Sequence, residues 1–302
     1  MTLERRELGK TGMRVSNLGF GAAEIGFEKI PLETIDRFLG TALESGLNVI
    51  DTAECYGDSE QKLGQALINR RDRYYLFTKC GHASGLDLPD WEPRLLTQSI
   101  DRSLQRLQTD YLDLVQLHTC SEELLRRGEV IEALQQAKQA GKTRFIGYSG
   151  DSQAALYAAQ SDLFDTLELS INIADQEAID LIIPVAREKG IGIIAKRPIA
   201  NVIWRVYTEN VSPPPHWQPY IERFKELDYE FLKGELSEAI AIALRFTLSV
   251  EGVGTAIVGT TKPEHWHQNA ALLANGRLSE EEYESIRRRW REVAKPDWIG
   301  YG

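Results

Sequence analysis

The sequence predicts an α/β protein, a (β/α)8 TIM barrel, and three observations support this fold class. Short apolar runs rich in β-branched and aromatic residues alternate with longer segments of helical period. Polar residues that could take part in catalysis stand where these runs end. Barrels of this kind carry their active sites at the carboxyl ends of the strands. The length of 302 residues suits one such barrel. We therefore expect a single domain over residues 1–302.

The elements follow one another in a regular order. Strands are expected at residues 15–21, 47–51, 74–79, 111–118, 143–149, 166–172, 191–196 and 254–259. The helical segments between and after them are expected at residues 32–46, 59–70, 93–108, 129–142, from about 151, 178–190, 235–249 and 263–276. An extra C-terminal helix is expected at residues 279–294, and clustered prolines predict a loop at residues 211–220.

A doubly wound open sheet is the alternative fold. It requires a glycine fingerprint after the first strand and an acidic residue about twenty positions later. The glycines of GFGAAEIG, residues 19–26, do not have that spacing. No predicted strand ends in an acidic residue at the expected distance, so the barrel is preferred.

Composition and charge argue against several classes of function. The chain is 42% hydrophobic and 26% charged, which is typical of globular proteins. A net charge of -10 argues against nucleic acid or an anionic membrane as a partner. The apolar runs are too short to span a bilayer, and the N-terminus has charges where a secretory signal needs an apolar core. Three cysteines form no disulfide framework, so a cytoplasmic location is expected. The sequence does not indicate the oligomeric state.

Four ionisable residues lie at or just beyond the ends of three successive predicted strands. Asp51 ends the second strand with Tyr56 just beyond it, Lys79 ends the third, and His118 ends the fourth. A nearby cation lowers the pKa of a phenol, and Asp51 can keep Lys79 charged. His118 can donate to a polarised oxygen. The set predicts a proton donor and an orienting group for a carbonyl, with the hydride left to a nicotinamide cofactor.

These residues resemble, in order and context, the catalytic tetrad of the aldo-keto reductase family. RRELGKTGMRVSNLGFGAA is similar to the family's N-terminal β-hairpin and first strand. NVIDTAECYG and DYLDLVQLH resemble its signatures on strands two and four. GKTRFIGYSG, AKRP and AIVGTTKPEHWHQN resemble its cofactor-holding segments. The resemblance therefore extends over nearly the whole chain.

The resemblance implies reversible, NADP(H)-dependent reduction of a small aldehyde, ketone or sugar. Tyr56 would be the general acid/base, His118 would orient the carbonyl, and Lys79 with Asp51 would tune the tyrosine. Cofactor contacts would come from Gly21, Ser149, Glu168, Asn172, Lys196, Arg197, Pro198, Gly259, Thr260, Thr261, Lys262, His265 and Asn269. Lys262 and His265 favour a 2′-phosphate, hence NADP(H). Loop aromatics often pack on ligands, and the candidates for lining the substrate pocket are Trp91, Trp204 and Trp217.

The sequence departs from the family pattern at four positions. The usual Asn after the serine of strand five is Gly150, and the usual Gln of strand six is Glu168. The usual aromatic that stacks on the nicotinamide is Lys196, and the usual Arg of the adenosine clamp is His265. The tetrad stays whole, and the four changes fall among the contacts to the nicotinamide and the adenosine end of the cofactor. We hypothesise that Lys196 reaches a phosphate or an acidic substrate.

Other interpretations remain open from the sequence. Asp51 and Lys79 also fit a structural ion pair, since such pairs shift pKa values without catalysis. A zinc site is a rival because three cysteines lie near tetrad members, at positions Cys55, Cys80 and Cys120. No CxxC spacing among these cysteines supports it, so no metal is expected. The alternative functions are an NADP(H)-binding regulatory barrel without efficient turnover and a metal-dependent barrel hydrolase.

Overall fold

A computed structural model describes residues 3–207, 217–260 and 262–301. The chain opens with an antiparallel hairpin of β1 (Arg5–Glu7) and β2 (Arg14–Ser16), in which Arg5 pairs with Ser16. Apolar side chains of this hairpin, including Leu8 and Met13, close the bottom of the barrel. The predicted N-terminal hairpin is confirmed.

Parallel strands form a closed barrel above the hairpin. They are β3 (Leu18–Gly21), β4 (Val49–Asp51), β5 (Tyr75–Cys80), β6 (Leu112–His118), β7 (Thr143–Ser149), β8 (Thr166–Ser170), β9 (Gly192–Lys196) and β10 (Val253–Gly259). Each strand pairs with the next in sequence, and β10 pairs with both β9 and β3. This arrangement confirms the predicted (β/α)8 barrel.

Helices surround the barrel. They are α1 (Ala23–Phe27), α2 (Leu32–Glu44), α3 (Ser59–Ala66), α4 (Pro93–Leu107), α5 (Glu122–Arg127), α6 (Glu129–Gln139), α7 (Ser152–Gln160), α8 (Glu177–Leu181), α9 (Ile183–Lys189), α10 (Gln218–Leu227), α11 (Leu236–Ser249), α12 (Pro263–Leu272) and α13 (Glu280–Val293). The predicted C-terminal helix is α13, which starts with a capping box between Ser279 and Glu282. Within the described ranges, no helix combines the length and the apolar character needed to cross a membrane.

Several predicted boundaries differ from the structure, and three of these differences change the description of the chain. The strand expected at residues 15–21 divides at Asn17 into β2 and β3, and the one expected at 166–172 ends at Ser170. The proline-rich loop was expected to reach residue 220, but α10 already begins at Gln218. Pro219 fits the first turn of a helix, where its missing N–H costs no bond. Residues 208–216 lie outside the described part of the chain.

The two-residue period of the strands determines what lines the barrel. An apolar layer on the inner face contains Val49, Phe77, Leu114, Ile194 and Ile257. Two residues further along these strands, on the same face, are Asp51, Lys79, Gln116, Lys196 and Gly259. Side chains between these positions, such as Ile50 and Val115, pack outward in the cluster shared with the helices. Alternation therefore places a polar layer on top of an apolar floor.

Candidate active site

The Lys79 ammonium lies at the centre of the polar layer. It donates hydrogen bonds to the Asp51 carboxylate and, at 3.1 Å, to the Thr52 carbonyl oxygen. Glu168 Oε1 lies 3.4 Å from the same ammonium. The centre of the Tyr56 ring lies 5.5 Å from the ammonium. The structure thus brings three of the predicted tetrad residues together, with Glu168 as a second carboxylate.

Charges in this cluster depend on one another. Burial opposes the charge on Lys79, but the carboxylates of Asp51 and Glu168 outweigh this effect and raise the pKa of Lys79. Burial and the charge of Glu168 raise the pKa of Asp51 well above its usual range, against the effect of Lys79. Lys79 therefore stays charged, while burial disfavours the carboxylate form of Asp51.

Tyr56 lies in the turn after β4. Its ring meets the His118 imidazole edge to face, with 5.7 Å between the ring centres. Burial raises the pKa of Tyr56, and the charge of Lys79 is the main opposing effect. The expected lowering of this pKa is wrong in its net direction, because the cost of burying a phenolate exceeds the attraction of the ammonium. The hydroxyl group therefore keeps its proton at neutral pH.

His118 is the last residue of β6. Burial, aided by the charge of Lys79, lowers the pKa of His118 well below its usual range, so the imidazole is neutral at pH 7. Its Nδ1 lies 3.4 Å from Cys55 Sγ. The ring centre of His82 lies 5.5 Å from that of His118, and His82 in turn meets the Trp91 indole at 5.2 Å. A line of rings thus extends from Tyr56 to Trp91.

Strand register brings Ser149 and Glu168 to the same level as His118. His118 pairs with Ser149 across β6 and β7, and Ser149 pairs with Glu168 across β7 and β8. Ser149 Oγ donates to Glu168 Oε1 at 3.3 Å, and Gln116 Nε2 donates to Oε2 at 2.7 Å. Both oxygens of Glu168 therefore have buried donors. Gln116 was not singled out in the sequence, although its place two residues before His118 puts it on the same face.

Comparison with known proteins identifies the family to which this site belongs. The model of the aldo/keto reductase family matches residues 17–291. The chain belongs to the aldo/keto reductase family. It is 32% identical to L-galactose dehydrogenase from Arabidopsis thaliana, over 90% of this chain and 88% of that protein. It is 28% identical to the aldo-keto reductase YhdN from Bacillus subtilis (strain 168), over 86% of each chain.

A solved structure gives the same result. The aldo-keto reductase AKR11C1 from Bacillus halodurans, in its holo form, superposes with a TM-score of 0.80 and 25% sequence identity. The match covers 98% of this chain and 99% of that chain. Membership of the aldo/keto reductase family implies an oxidoreductase that uses a nicotinamide cofactor in carbonyl reduction.

Two departures from the family pattern have physical causes in this aldo/keto reductase. A Cβ added at Gly150 would lie 2.4 Å from the Tyr148 hydroxyl oxygen, so the position has no room for a larger residue unless Tyr148 moves. Lys196 Nζ lies 2.9 Å from Asp151 Oδ2, and the two side chains are 11% and 4% exposed. The positive charge of Lys196 is therefore balanced by the Asp151 carboxylate. This ion pair weakens the hypothesis that Lys196 reaches a phosphate or an acidic substrate.

Three other residues assigned to the cofactor have partners in the loops. Asn172 is fully buried, and its amide donates to the Tyr220 hydroxyl at 3.1 Å and accepts from the Ala174 N–H at 2.8 Å. Arg197 donates to Ser170 Oγ at 3.0 Å and to a carbonyl oxygen of the C-terminal segment. The Pro198 carbonyl accepts from Thr247 at 3.0 Å. These contacts order the chain beyond β8 and β9.

The C-terminal segment, residues 299–301, is a part of the site that sequence reasoning did not predict. The Tyr301 N–H donates to Asp175 Oδ2 at 3.0 Å, and the Gly300 N–H donates to Glu177 Oε2 at 2.6 Å. The Tyr301 carbonyl accepts from Ser170 Oγ at 2.9 Å. The segment therefore covers the carboxyl end of β8. The aromatic residues of PDWIGYG are its only signal in the sequence, and they specify no partner.

The rim after β10 holds the remaining candidates for the cofactor. Gly259 approaches Glu24 so closely that an added Cβ would lie 2.1 Å from Glu24 Oε2, an oxygen that is buried and has no hydrogen-bond partner among the described residues. Further along this rim, Lys262 and His265 are exposed. The other candidates are Gly21, which borders Gly259 across β3 and β10, Thr260, which bonds to the backbone of residue 262, and Asn269, which is buried. Thr261 lies outside the described residues.

The three tryptophans predicted for the substrate pocket have different surroundings. Trp91 is partly exposed and lies over Gly81, where an added Cβ would come within 2.1 Å of the indole. Trp204 is 2% exposed and packs edge to face on Phe224, at 5.4 Å between ring centres, so its ring is part of a core. Trp217 stacks on Tyr220 at 5.7 Å. Across the described ranges, no three His, Cys, Asp or Glu side chains are grouped as metal ligands.

Proposed function

We propose that this chain is an NADP(H)-dependent reductase that acts reversibly on the carbonyl group of a small aldehyde, ketone or sugar. The observation that carries the proposal is the convergence of Tyr56, Lys79 and His118 at the carboxyl end of the barrel. Lys79 is charged and buried beside the tyrosine ring, and His118 is neutral. The family relationship supplies the reaction class.

Each residue has a role that follows from its charge state. Tyr56 gives its proton to the carbonyl oxygen as that oxygen gains negative charge, and the Lys79 ammonium stabilises the remaining phenolate. In alcohol oxidation the phenolate takes the hydroxyl proton back. His118 donates its single N–H to the same oxygen and orients the carbonyl. A bound nicotinamide supplies or accepts the hydride.

The residues on the rim fit a phosphorylated dinucleotide. Lys262 and His265 are exposed where α12 begins, and helix N-termini attract phosphate groups. Glu24 Oε2, which is buried and has no hydrogen-bond partner among the described residues, suits a hydroxyl donor such as a ribose. Ser149, held by Glu168, borders His118 and would meet the nicotinamide end. The cation at Lys262 favours NADP(H) over NAD(H).

The similarity to L-galactose dehydrogenase adds a sugar to the substrates worth testing first. One observation favours a second candidate, an NADP(H)-binding barrel without efficient turnover. Glu168 and Lys196, which stand at positions of nicotinamide contact in the family, both have internal partners. The charged lysine beside Tyr56 favours the enzyme, because cofactor binding alone does not need a tuned phenol.

The test combines cofactor binding with turnover. Purified protein is titrated with NADPH and NADH by fluorescence, and cofactor oxidation is followed with a panel of aldehydes, ketones and aldoses. We expect NADPH to bind more tightly than NADH and to be consumed with at least one carbonyl compound. Binding without consumption would favour the regulatory barrel, and absence of binding would overturn both proposals. In Lys262→Met, the NADPH affinity should fall while the NADH affinity stays unchanged.

A further inference from the structure

Cys55 contacts the proposed carbonyl-orienting histidine directly. Its Sγ lies 3.4 Å from His118 Nδ1. Among the described residues, Cys55 is the hydrogen-bond partner of the imidazole ring. Cys55 stands one residue before Tyr56, in the turn that follows β4. The thiol therefore covers one ring nitrogen of His118 and leaves Nε2 for any other partner.

Both groups are uncharged at neutral pH. Burial, with a smaller effect from the charge of Glu54, raises the pKa of Cys55 to about 11, so the sulfur carries its proton. Burial and the charge of Lys79 keep the His118 imidazole neutral by lowering its pKa. A neutral imidazole has one N–H and one lone pair, and the hydrogen bond at one nitrogen decides which nitrogen carries the proton.

Two arrangements of the contact are chemically distinct. In one, the thiol donates to the lone pair of Nδ1, and the ring proton sits on Nε2. In the other, Nδ1–H donates to sulfur, and Nε2 presents a lone pair. An imidazole nitrogen is a strong acceptor and a thiol sulfur is a weak one, so the first arrangement makes the better bond. A lone pair on Nε2 would also repel a carbonyl oxygen.

We propose that Cys55 is a positioning residue that holds His118 in the tautomer with its proton on Nε2. The role of this tautomer in catalysis rests on the proposed function, because the Nε2–H group is then the donor to the substrate carbonyl. Cys55 itself is not expected to touch substrate or cofactor. It acts through His118, by covering Nδ1 with a hydrogen-bond donor.

Nitrogen NMR of the imidazole tests the proposal without substrate. The chain has five histidines, so ¹⁵N-histidine labelling with a His118→Asn variant assigns the ring signals. We expect wild-type His118 to carry its proton on Nε2. Cys55→Ser keeps a donor and should retain this tautomer, whereas Cys55→Ala should raise the population with the proton on Nδ1. Cys120→Ala removes a different buried thiol near His118 and should leave the tautomer unchanged.

Kinetics supply the second measurement. Loss of a hydrogen bond of ordinary strength should lower kcat of Cys55→Ala about fivefold, with cofactor affinity unchanged and rescue in Cys55→Ser. A wild-type protein with the proton on Nδ1, or a Cys55→Ala tautomer equal to wild type, overturns the proposal. Failure of the proposed function gives a different result. Wild type would then lack cofactor binding or turnover, while the tautomer of His118 measured by NMR would still test the role of Cys55.

Discussion

Glu168 Oε1 lies 3.4 Å from the Lys79 ammonium, which also bonds to the Asp51 carboxylate. The lysine thus stands between two buried carboxyl groups, although the sequence pattern suggests a pair of one lysine and one aspartate. The charge of Glu168 also contributes to the raised pKa of Tyr56. Glu168 therefore acts on the proposed acid/base as well as on its lysine.

Glu168→Gln should shift the pH dependence of alcohol oxidation to lower pH. The reason is that loss of one negative charge lowers the pKa of Tyr56, and oxidation requires the phenolate. The measurement is the pH profile of kcat/KM for the alcohol, with Glu238→Gln on the exposed face of α11 as the charge-matched control. A profile unchanged from wild type would show that Glu168 has no influence on the tyrosine.

Lys196→Met should destabilise the fold more than it impairs the cofactor site. It leaves the Asp151 carboxylate buried without its cation, and breaking one side of a buried pair costs about 3 kcal/mol. Ser170 still donates to Asp151 through its N–H at 2.7 Å, which limits the loss. Urea unfolding of Lys196→Met, of Asp151→Asn and of the double variant Lys196→Met/Asp151→Asn measures the coupling free energy between the two side chains. Additive effects in this cycle would rule out the ion pair as a stabilising contact.

Asp175 should make stability depend on pH. Burial, with the charge of Asp151, raises the pKa of Asp175 from its ordinary value of 3.8 to about 7. The folded protein then holds a proton that the unfolded chain has lost, so this contribution is present at low pH and is lost as pH rises through about 7. Relative to Asp175→Asn, wild type should lose on the order of 4 kcal/mol of unfolding free energy between about pH 4 and pH 8.

Denaturant unfolding at several pH values checks this difference. The Asn side chain can still accept the hydrogen bonds from Tyr220 and Tyr301, so the comparison isolates the charge. Asp72→Asn changes an exposed carboxylate and is the charge-matched control. A difference between wild type and Asp175→Asn that does not change with pH would contradict the buried, proton-holding carboxyl.

Two of the predicted pocket tryptophans should respond differently to removal. Trp91→Ala should raise KM for the carbonyl substrate several-fold with little change in stability, because this partly exposed ring reaches His118 through His82. Trp204→Ala should lower the unfolding free energy by about 3–5 kcal/mol, because its ring is buried. Thermal melts and substrate titrations separate the effects. A Trp91→Ala variant with unchanged KM would remove Trp91 from the pocket.

The barrel and its polar layer were predictable because both follow from local pattern. The alternation that puts Val49 and Phe77 on the barrel floor also puts Asp51 and Lys79 above it, and this regularity is visible in the sequence. The hairpin came from the family resemblance. The roles of the tetrad remain proposals, although the side chains lie together as the strand ends suggested.

Other features depend on contacts between distant segments. The closure by residues 299–301, the pairing of Lys196 with Asp151 and the proton-holding Asp175 each join parts of the chain that no local pattern relates. The predicted direction of the pKa shift of Tyr56 is wrong for a similar reason. Burial is a property of the whole fold, whereas the charge of Lys79 could be read from the sequence.

Tyr56 is proposed to donate the proton in a reduction whose hydride comes from a nicotinamide. The most direct test compares wild type with Tyr56→Phe for NADPH affinity and for carbonyl-dependent NADPH oxidation in the same preparation. We expect unchanged affinity and a loss of at least about a hundredfold in kcat. Turnover of Tyr56→Phe at the wild-type rate would contradict this role.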